Sequence, residues 1–250
     1  MAAVLLAELL AGGDAAAGAW TRAEGEGFAA QSVRYFSTDV STSSSVDFAK
    51  ASLGLYVEYG LSDVVTIGAD LDQGLRLDDV GYGAQDGWIG GFLRARLAKG
   101  ESDVFSVEIG GDWPLSDLAS PAAPGGDDSK EIRALALYGR GVETPLGLGW
   151  IDGAFGFAKF IGDRADELRL DLTFGARPDE DWVLMTQVFG TYGLRNAAFG
   201  GVDFDLLKAQ VSVGRRIFGE KTLLIGVARD VLTRGISPGY EVSVTLWSLF

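Results

Sequence analysis

From Gly27 to Phe250 the chain is a succession of short segments in which apolar and polar side chains alternate, each roughly ten residues long and bounded by turn residues. Alternation with period 2 sends successive side chains to opposite faces of a strand, and no helical period competes with it. Twelve such segments can be counted, at approximately 27–37, 47–60, 64–77, 87–98, 103–113, 131–143, 148–161, 167–177, 181–194, 204–217, 221–232 and 240–250. Beyond the N-terminal stretch there is no run of about 18 uncharged apolar residues, so no helix can cross a membrane. A chain of this kind that enters a membrane must do so as a closed barrel, because only closure gives every backbone N–H and C=O a partner in hydrocarbon.

The connections are sorted by length. Those after the even-numbered segments are short: "LSD", "AKGES", "TPLG", "PDE" and "GEK". Those after odd-numbered segments are mostly longer, as in "STDVSTSSSV", "DDVGYGAQD" and "SDLASPAAPGGDDSK". Short periplasmic turns on one rim and longer extracellular loops on the other are the arrangement of bacterial outer-membrane barrels. The two faces agree in most segments, while in the ninth and eleventh Met185, Phe189 and Arg229 blur the split. Leu53, Leu55, Val57 and Tyr59 oppose Lys50, Ser52, Tyr56 and Glu58, and Leu168, Leu170, Leu172 and Phe174 oppose Arg169, Asp171 and Thr173. The second set is too charged for a soluble core. The soluble alternative, an antiparallel sandwich or a lipocalin-like barrel, buries its apolar face inward and has no reason to sort its loops. The expected fold is therefore all-β: a closed antiparallel up-and-down transmembrane barrel of about 12 strands over residues 20–250. Residues 1–19 form an export segment or a tail; Ala15, Ala16, Ala17 and Ala19 are small residues that a signal peptidase accepts, with a mature start near Ala19 or Trp20.

The segment 240–250, "YEVSVTLWSLF", carries apolar side chains on every second position counted back from Phe250 through Leu246, Val244 and Val242 to Tyr240, with Ser248 the one departure. It resembles the C-terminal signal of outer-membrane β-barrel proteins. That resemblance implies a location in the bacterial outer membrane, recognition by the barrel-assembly machinery, and Phe250 at the periplasmic interface. "AWTRAEGEGF" and "VEYGLSDVVTIGADL" are similar to stretches of proteobacterial barrels that include the transporters named after the phenol meta-degradation pathway. Tyr59, Trp113, Trp150, Trp182, Tyr192, Trp247 and Phe250 fall near strand ends, where a membrane barrel places an aromatic girdle.

Composition removes several functions. The chain has neither cysteine nor histidine, so thiolate metal sites and imidazole-based acyl-transfer triads are absent, and no enzyme activity or cofactor is expected. A net charge of −14 opposes nucleic acid as a partner. The expected partners are outer-membrane lipid, lipopolysaccharide and a small solute. Acidic loop residues Asp78, Asp79, Asp127, Asp128, Asp163, Asp166 and Glu167 are either solvated or bridge cations to lipopolysaccharide, and Asp203 with Asp205 lacks the spacing of a calcium loop.

A twelve-strand lumen lies between the filled interior of eight strands and the open channel of sixteen, so its side chains decide whether it conducts. Pairing segments 3 and 4 about Gly83 sets Asp72 opposite Arg94 and Asp70 opposite Arg96, and the next turn brings Glu108 beside Arg94. Asp70, Asp72, Arg76, Arg94, Arg96 and Glu108 are then either a charged constriction selecting small polar or ionic solutes, or a salt-bridge ladder that braces and partly plugs the barrel.

Overall fold

The computed structural model describes residues 18–38, 48–77, 85–115 and 129–250. Twelve antiparallel strands form one closed sheet: β1 (Gly27–Thr38), β2 (Ala49–Ser62), β3 (Val65–Arg76), β4 (Gln85–Lys99), β5 (Asp103–Pro114), β6 (Lys130–Thr144), β7 (Gly147–Ile161), β8 (Glu167–Arg177), β9 (Trp182–Gly193), β10 (Asp205–Phe218), β11 (Lys221–Arg234) and β12 (Gly239–Leu249). Each strand pairs with its sequence neighbours, and β1 pairs with β12 over Phe28–Thr38 against Gly239–Leu249. The ends seen in the sequence lie within two residues of those observed.

The polarity of the wall is inverted relative to a soluble domain. Leu53, Ile109 and Ile225 point outward and are 60%, 59% and 57% exposed. Glu58, Thr66 and Ser106 point inward and are fully buried. An exposed apolar band of this extent is stable only against another apolar medium, which a bilayer supplies. The five tight turns lie at one end of the barrel, and at the other lie six connections that include 162–166 and 235–238, both short. Length therefore separates the two rims less cleanly than the sequence suggested. Asp78, Asp79, Gly83, Asp127 and Asp128 lie outside the described residues.

The aromatic girdle is partly as expected. Tyr59, Trp113, Trp182, Tyr192 and Phe250 are exposed. Trp150 and Trp247 instead turn into the lumen, where both pack on the buried cluster of Val183, Met185 and Leu224. Trp247 also meets Phe28 edge-on at 6.0 Å. Alternation along β12 explains the difference: Trp247 shares parity with Glu241, Ser243 and Thr245, while Tyr240, Val242, Val244 and Leu246 take the outer face.

Leu172, at the middle of β8 and on the outer face, gives a test. Leu172→Arg is expected to lower stability in lipid vesicles by about 2–4 kcal/mol, whereas Thr173→Arg, facing the lumen, should cost much less. Urea unfolding of the two variants, followed by the mobility of unboiled protein on a gel, separates these outcomes.

Candidate functional site

Residues 18–26 precede β1 and turn back into the lumen at the tight-turn end. They form a strap along the inner wall from β1 past β2, β3, β4 and β5 to β7. Its root is paired to β2: the Gly25 N–H donates to the Gly60 carbonyl at 3.0 Å, and the Gly60 N–H to the Glu26 carbonyl at 2.9 Å. Farther in, the Arg22 N–H donates to Thr66 Oγ1 at 2.8 Å, Arg94 Nη1 donates to the Trp20 carbonyl at 3.3 Å, and Ser106 Oγ donates to the Ala19 carbonyl at 2.5 Å. The Ala19 N–H donates to Asp152 Oδ2 at 2.8 Å. Ala19 is fully buried among Val104, Leu137 and Ala154, with Trp20 and Leu135 against them. The indole of Trp20 has room because residue 139 is glycine; a Cβ there would lie 2.5 Å from the ring. Strand-like backbone placed beside a wall must have its polar groups satisfied, and lumen side chains do this for the strap.

The same side chains belong to a continuous ribbon of ion pairs. Arg22 Nε contacts Glu58 at 2.6 Å, Arg94 bridges Glu58 at 2.7 Å and Glu108 at 2.9 Å, and Arg133 reaches Glu108 at 3.7 Å, Asp112 at 2.7 Å, Asp70 at 3.6 Å and Glu131 at 3.5 Å. Arg169 then joins Glu131 at 2.7 Å to Glu167 at 3.1 Å, and Arg164 closes on Glu167 at 2.6 Å. The ribbon climbs from the strap to the opposite rim over β2–β6 and β8. Arg94, Glu58 and Glu108 are nearly inaccessible to solvent. Pairs this dry hold their partners firmly, because removing one leaves a bare charge. Aromatic rings support the ribbon from below: Tyr56 stacks on Phe92 at 5.7 Å, and the Arg94 guanidinium lies 5.1 Å from the Phe92 ring centre.

The residues singled out from the sequence are dispersed by the observed register. Arg94 and Glu108 are directly opposed and ion-paired, as expected. Asp72, however, faces Trp88 rather than Arg94, Asp70 faces Gly90 rather than Arg96, and Thr66 is opposite Arg94. The β3–β4 register is thus six residues from the expected one. Asp72 is paired with Arg34 of β1, Asp70 enters the ribbon through Arg133, and Arg76 stands 4.9 Å from the Phe48 ring at the long-loop rim. Arg96, opposite Ser106, has no ion pair among the described residues. Arg22, Glu58, Arg133, Glu131, Asp112, Arg169 and Asp152 were not in the expected cluster. The alternation of β6 and β8 carried part of the signal, since Glu131, Arg133 and Arg169 sit at lumen parity.

The wall made by β10, β11 and β12 is different. Gln210, Ser212, Gly214, Gly226, Ala228, Ser243 and Thr245 line its middle, and charge stands at its ends, with Arg216 toward the tight turns and Lys208 and Glu241 at 3.3 Å near the long-loop rim. Among the described residues no group of three or more Asp or Glu side chains is arranged to hold a metal ion. At the long-loop rim Asp203 and Asp205 are neutralised by Arg195 and Arg234, at 2.7 Å for Arg234 with Asp203 and for Arg195 with Asp205. Asp166 accepts from Lys159 Nζ, the Phe160 N–H and Asn196 Nδ2 at 2.8–2.9 Å, and so stitches the 162–166 loop to the 194–204 loop. Desolvation pushes its carboxyl up, but these donors outweigh that and hold it below the usual carboxylate range.

No family model matches this sequence, and no curated protein matches it closely enough to count as a relative. Solved structures do match the fold. The COG4313 outer membrane channel from Pseudomonas putida F1 superposes with a TM-score of 0.68 at 14% identity, covering 95% of this chain and 98% of that one. The NanC porin gives 0.56 at 8% identity, with 86% and 98% covered, and the KdgM porin gives 0.54 at 8%, with 86% and 97% covered. The chain therefore has the fold of bacterial outer-membrane channels and porins.

Two outcomes test the site. Arg94→Ala is expected to destabilise the barrel by about 1.5–3 kcal/mol, because it leaves Glu58 to Arg22 and Glu108 to Arg133 alone, and Arg96→Ala by no more than about 0.5 kcal/mol, in urea melts. For Asp166 the folded-state pKa is depressed, so its contribution is present above the ordinary carboxylate pKa of about 3.9 and fades as pH falls through the folded value. Protection of the Leu194 amide, which bonds to the Asp166 carbonyl, from hydrogen exchange, taken relative to the intrinsic rate at each pH, should be high at neutral pH and fall on acidification below that range; Asp166→Asn should remove the pH dependence.

Proposed function

We propose that the chain is an outer-membrane channel for small polar or ionic solutes, narrowed at its periplasmic end by the strap and the Arg94 cluster. The observation that carries this reading is Arg94 itself. One guanidinium holds Glu58, Glu108 and the strap carbonyl of Trp20 together. A solute crossing the barrel meets a wall of mutually compensated charge on one side and, along the middle of β10–β12, a neutral wall of Gln, Ser, Thr and Gly on the other. Such a path offers several weak contacts and no single strong one, which is the condition for permeation rather than trapping. Likeness to outer-membrane channels and porins supports both the location and the transport role. On this reading Tyr240, Val242, Val244, Leu246 and Phe250 also serve as the signal read by the barrel-assembly machinery, and lipopolysaccharide surrounds the long-loop rim.

A second reading, a non-conducting barrel with an interaction or structural role, is favoured by the strap itself, which occupies lumen cross-section and is bound at every residue from Ala19 to Arg22.

Planar-bilayer recording decides between them. The unmodified protein is expected to conduct weakly. Arg94→Ala should raise conductance and shift it toward cations, because Glu58 and Glu108 each lose one of two arginine partners while the strap loses a tie; Arg96→Ala should change neither. Electrical silence from both the unmodified protein and Arg94→Ala, with folding confirmed by gel mobility, would establish the second reading.

A further inference from the structure

Asp152 stands apart from the ion ribbon. Its side chain is buried, at 7% exposure, yet no Lys or Arg of the described residues lies within ion-pair distance of it. Glu58, Glu108, Glu131 and Glu167 each have an arginine. A buried carboxylate without a counter-charge is costly, and among the described residues the close donor to Asp152 is a main-chain nitrogen, that of Ala19.

That nitrogen occupies an unusual place in the chain. Ala15-Ala16-Ala17-Gly18-Ala19 is a run of small residues of the type that signal peptidases cut. The bonds after Ala17, Gly18 and Ala19 each have small residues one and three positions before them, and the structure distinguishes these three. Cutting after Ala19 would discard the residue whose N–H reaches Asp152, whose carbonyl accepts from Ser106 and whose methyl fills the Val104–Leu137–Ala154 cluster. Cutting after Ala17 would put the new ammonium on Gly18 and leave the Ala19 nitrogen that meets Asp152 a neutral amide. Only the Gly18–Ala19 bond, with Ala16 and Gly18 as the small residues before it, turns the nitrogen already on Asp152 into a cation.

We infer that export ends with hydrolysis of the Gly18–Ala19 peptide bond, and that the new α-ammonium of Ala19 is the counter-ion of Asp152, fastening the strap in the lumen. Water supplies the hydroxyl that leaves with the Gly18 carboxylate and the proton taken up by the departing nitrogen; a further solvent proton completes the ammonium, and nothing is oxidised or reduced. A neutral N–H···carboxylate contact becomes a charge-assisted one at the same atoms. Narrowing of the barrel is thereby coupled to maturation: the uncut chain has the weaker tie, and the processed chain the stronger.

The test needs no conductance measurement, so its result is independent of the channel reading. The full chain is expressed in a Gram-negative host, extracted from the outer membrane and analysed by intact mass and N-terminal peptide mass spectrometry. A second version, with two lysines inserted after Met1 to supply a basic start, ensures export. The expected N-terminal residue is Ala19 with a free amine. The folded protein is then treated with an amine-acylating reagent near neutral pH. The Ala19 amine is expected to react at least about tenfold more slowly than in the heat-unfolded protein, and Asp152→Asn should abolish most of that protection. Ala16→Leu should move the cut to a neighbouring bond. The inference is overturned by a mature chain that starts at any other residue, or by an Ala19 amine that labels equally fast in folded and unfolded protein. Both readouts are available on the unmodified sequence, so misfolding of a variant does not leave the question open.

Discussion

The β1–β12 ladder is the contact on which everything else in this barrel depends. An open twelve-strand sheet would present two edges of unpaired N–H and C=O groups, and in hydrocarbon each unpaired group costs several kcal/mol. Eleven residue pairs from Phe28–Leu249 to Thr38–Gly239 remove both edges at once, and Gly27 and Phe250 extend the seam by exchanging hydrogen bonds at 2.6 and 3.0 Å. The Phe250 ring lies where a side chain on residue 27 would be, so glycine at that position lets the two strand ends meet. Once the edges are gone, the outer face can be apolar without inviting edge-to-edge association.

Closure also dictates the chemistry of the interior. With Leu, Ile and Val spent on the outer face, the inner face of β2–β6 and β8 is left to Arg, Asp and Glu in a space too narrow for full hydration. These groups are tolerable only as a connected ribbon, and the structure shows one running from Arg22 to Arg164. The strap exploits the same economy. Its carbonyls and N–H groups fall beside Arg94, Ser106, Thr66 and Asp152, so narrowing the lumen leaves little backbone unsatisfied.

Much of the fold was legible before any coordinates, because alternation is a local property. Each segment announces its two faces within ten residues, and Leu53 against Ser52, or Leu170 against Arg169, can be assigned without knowing a neighbour. The candidate site was legible only in part. Arg94 and Glu108 face each other across a tight turn, and a short connection leaves almost no freedom in register. Asp70 and Asp72 lie across the longer 77–84 connection from β4, and there the expected register missed by six residues. An even shift keeps every side chain on its own face, so hydrophobic patterning cannot detect it. Trp150 and Trp247 show the complementary limit: proximity to a strand end suggested the membrane interface, but parity sends both rings inward.

The amino-acid sequence by itself determined the number of strands, their limits to within two residues, the side of most strands that meets lipid, and the absence of imidazole and thiol chemistry. Tertiary structure alone decided which lumen charges become partners, and that residues 18–26 return into the barrel instead of trailing from it. The reason is physical. Facing is set by period along one strand, whereas partnership between Arg133 and Asp70, or between Ala19 and Asp152, depends on the stagger of many strands around a closed ring, and no single segment encodes that stagger.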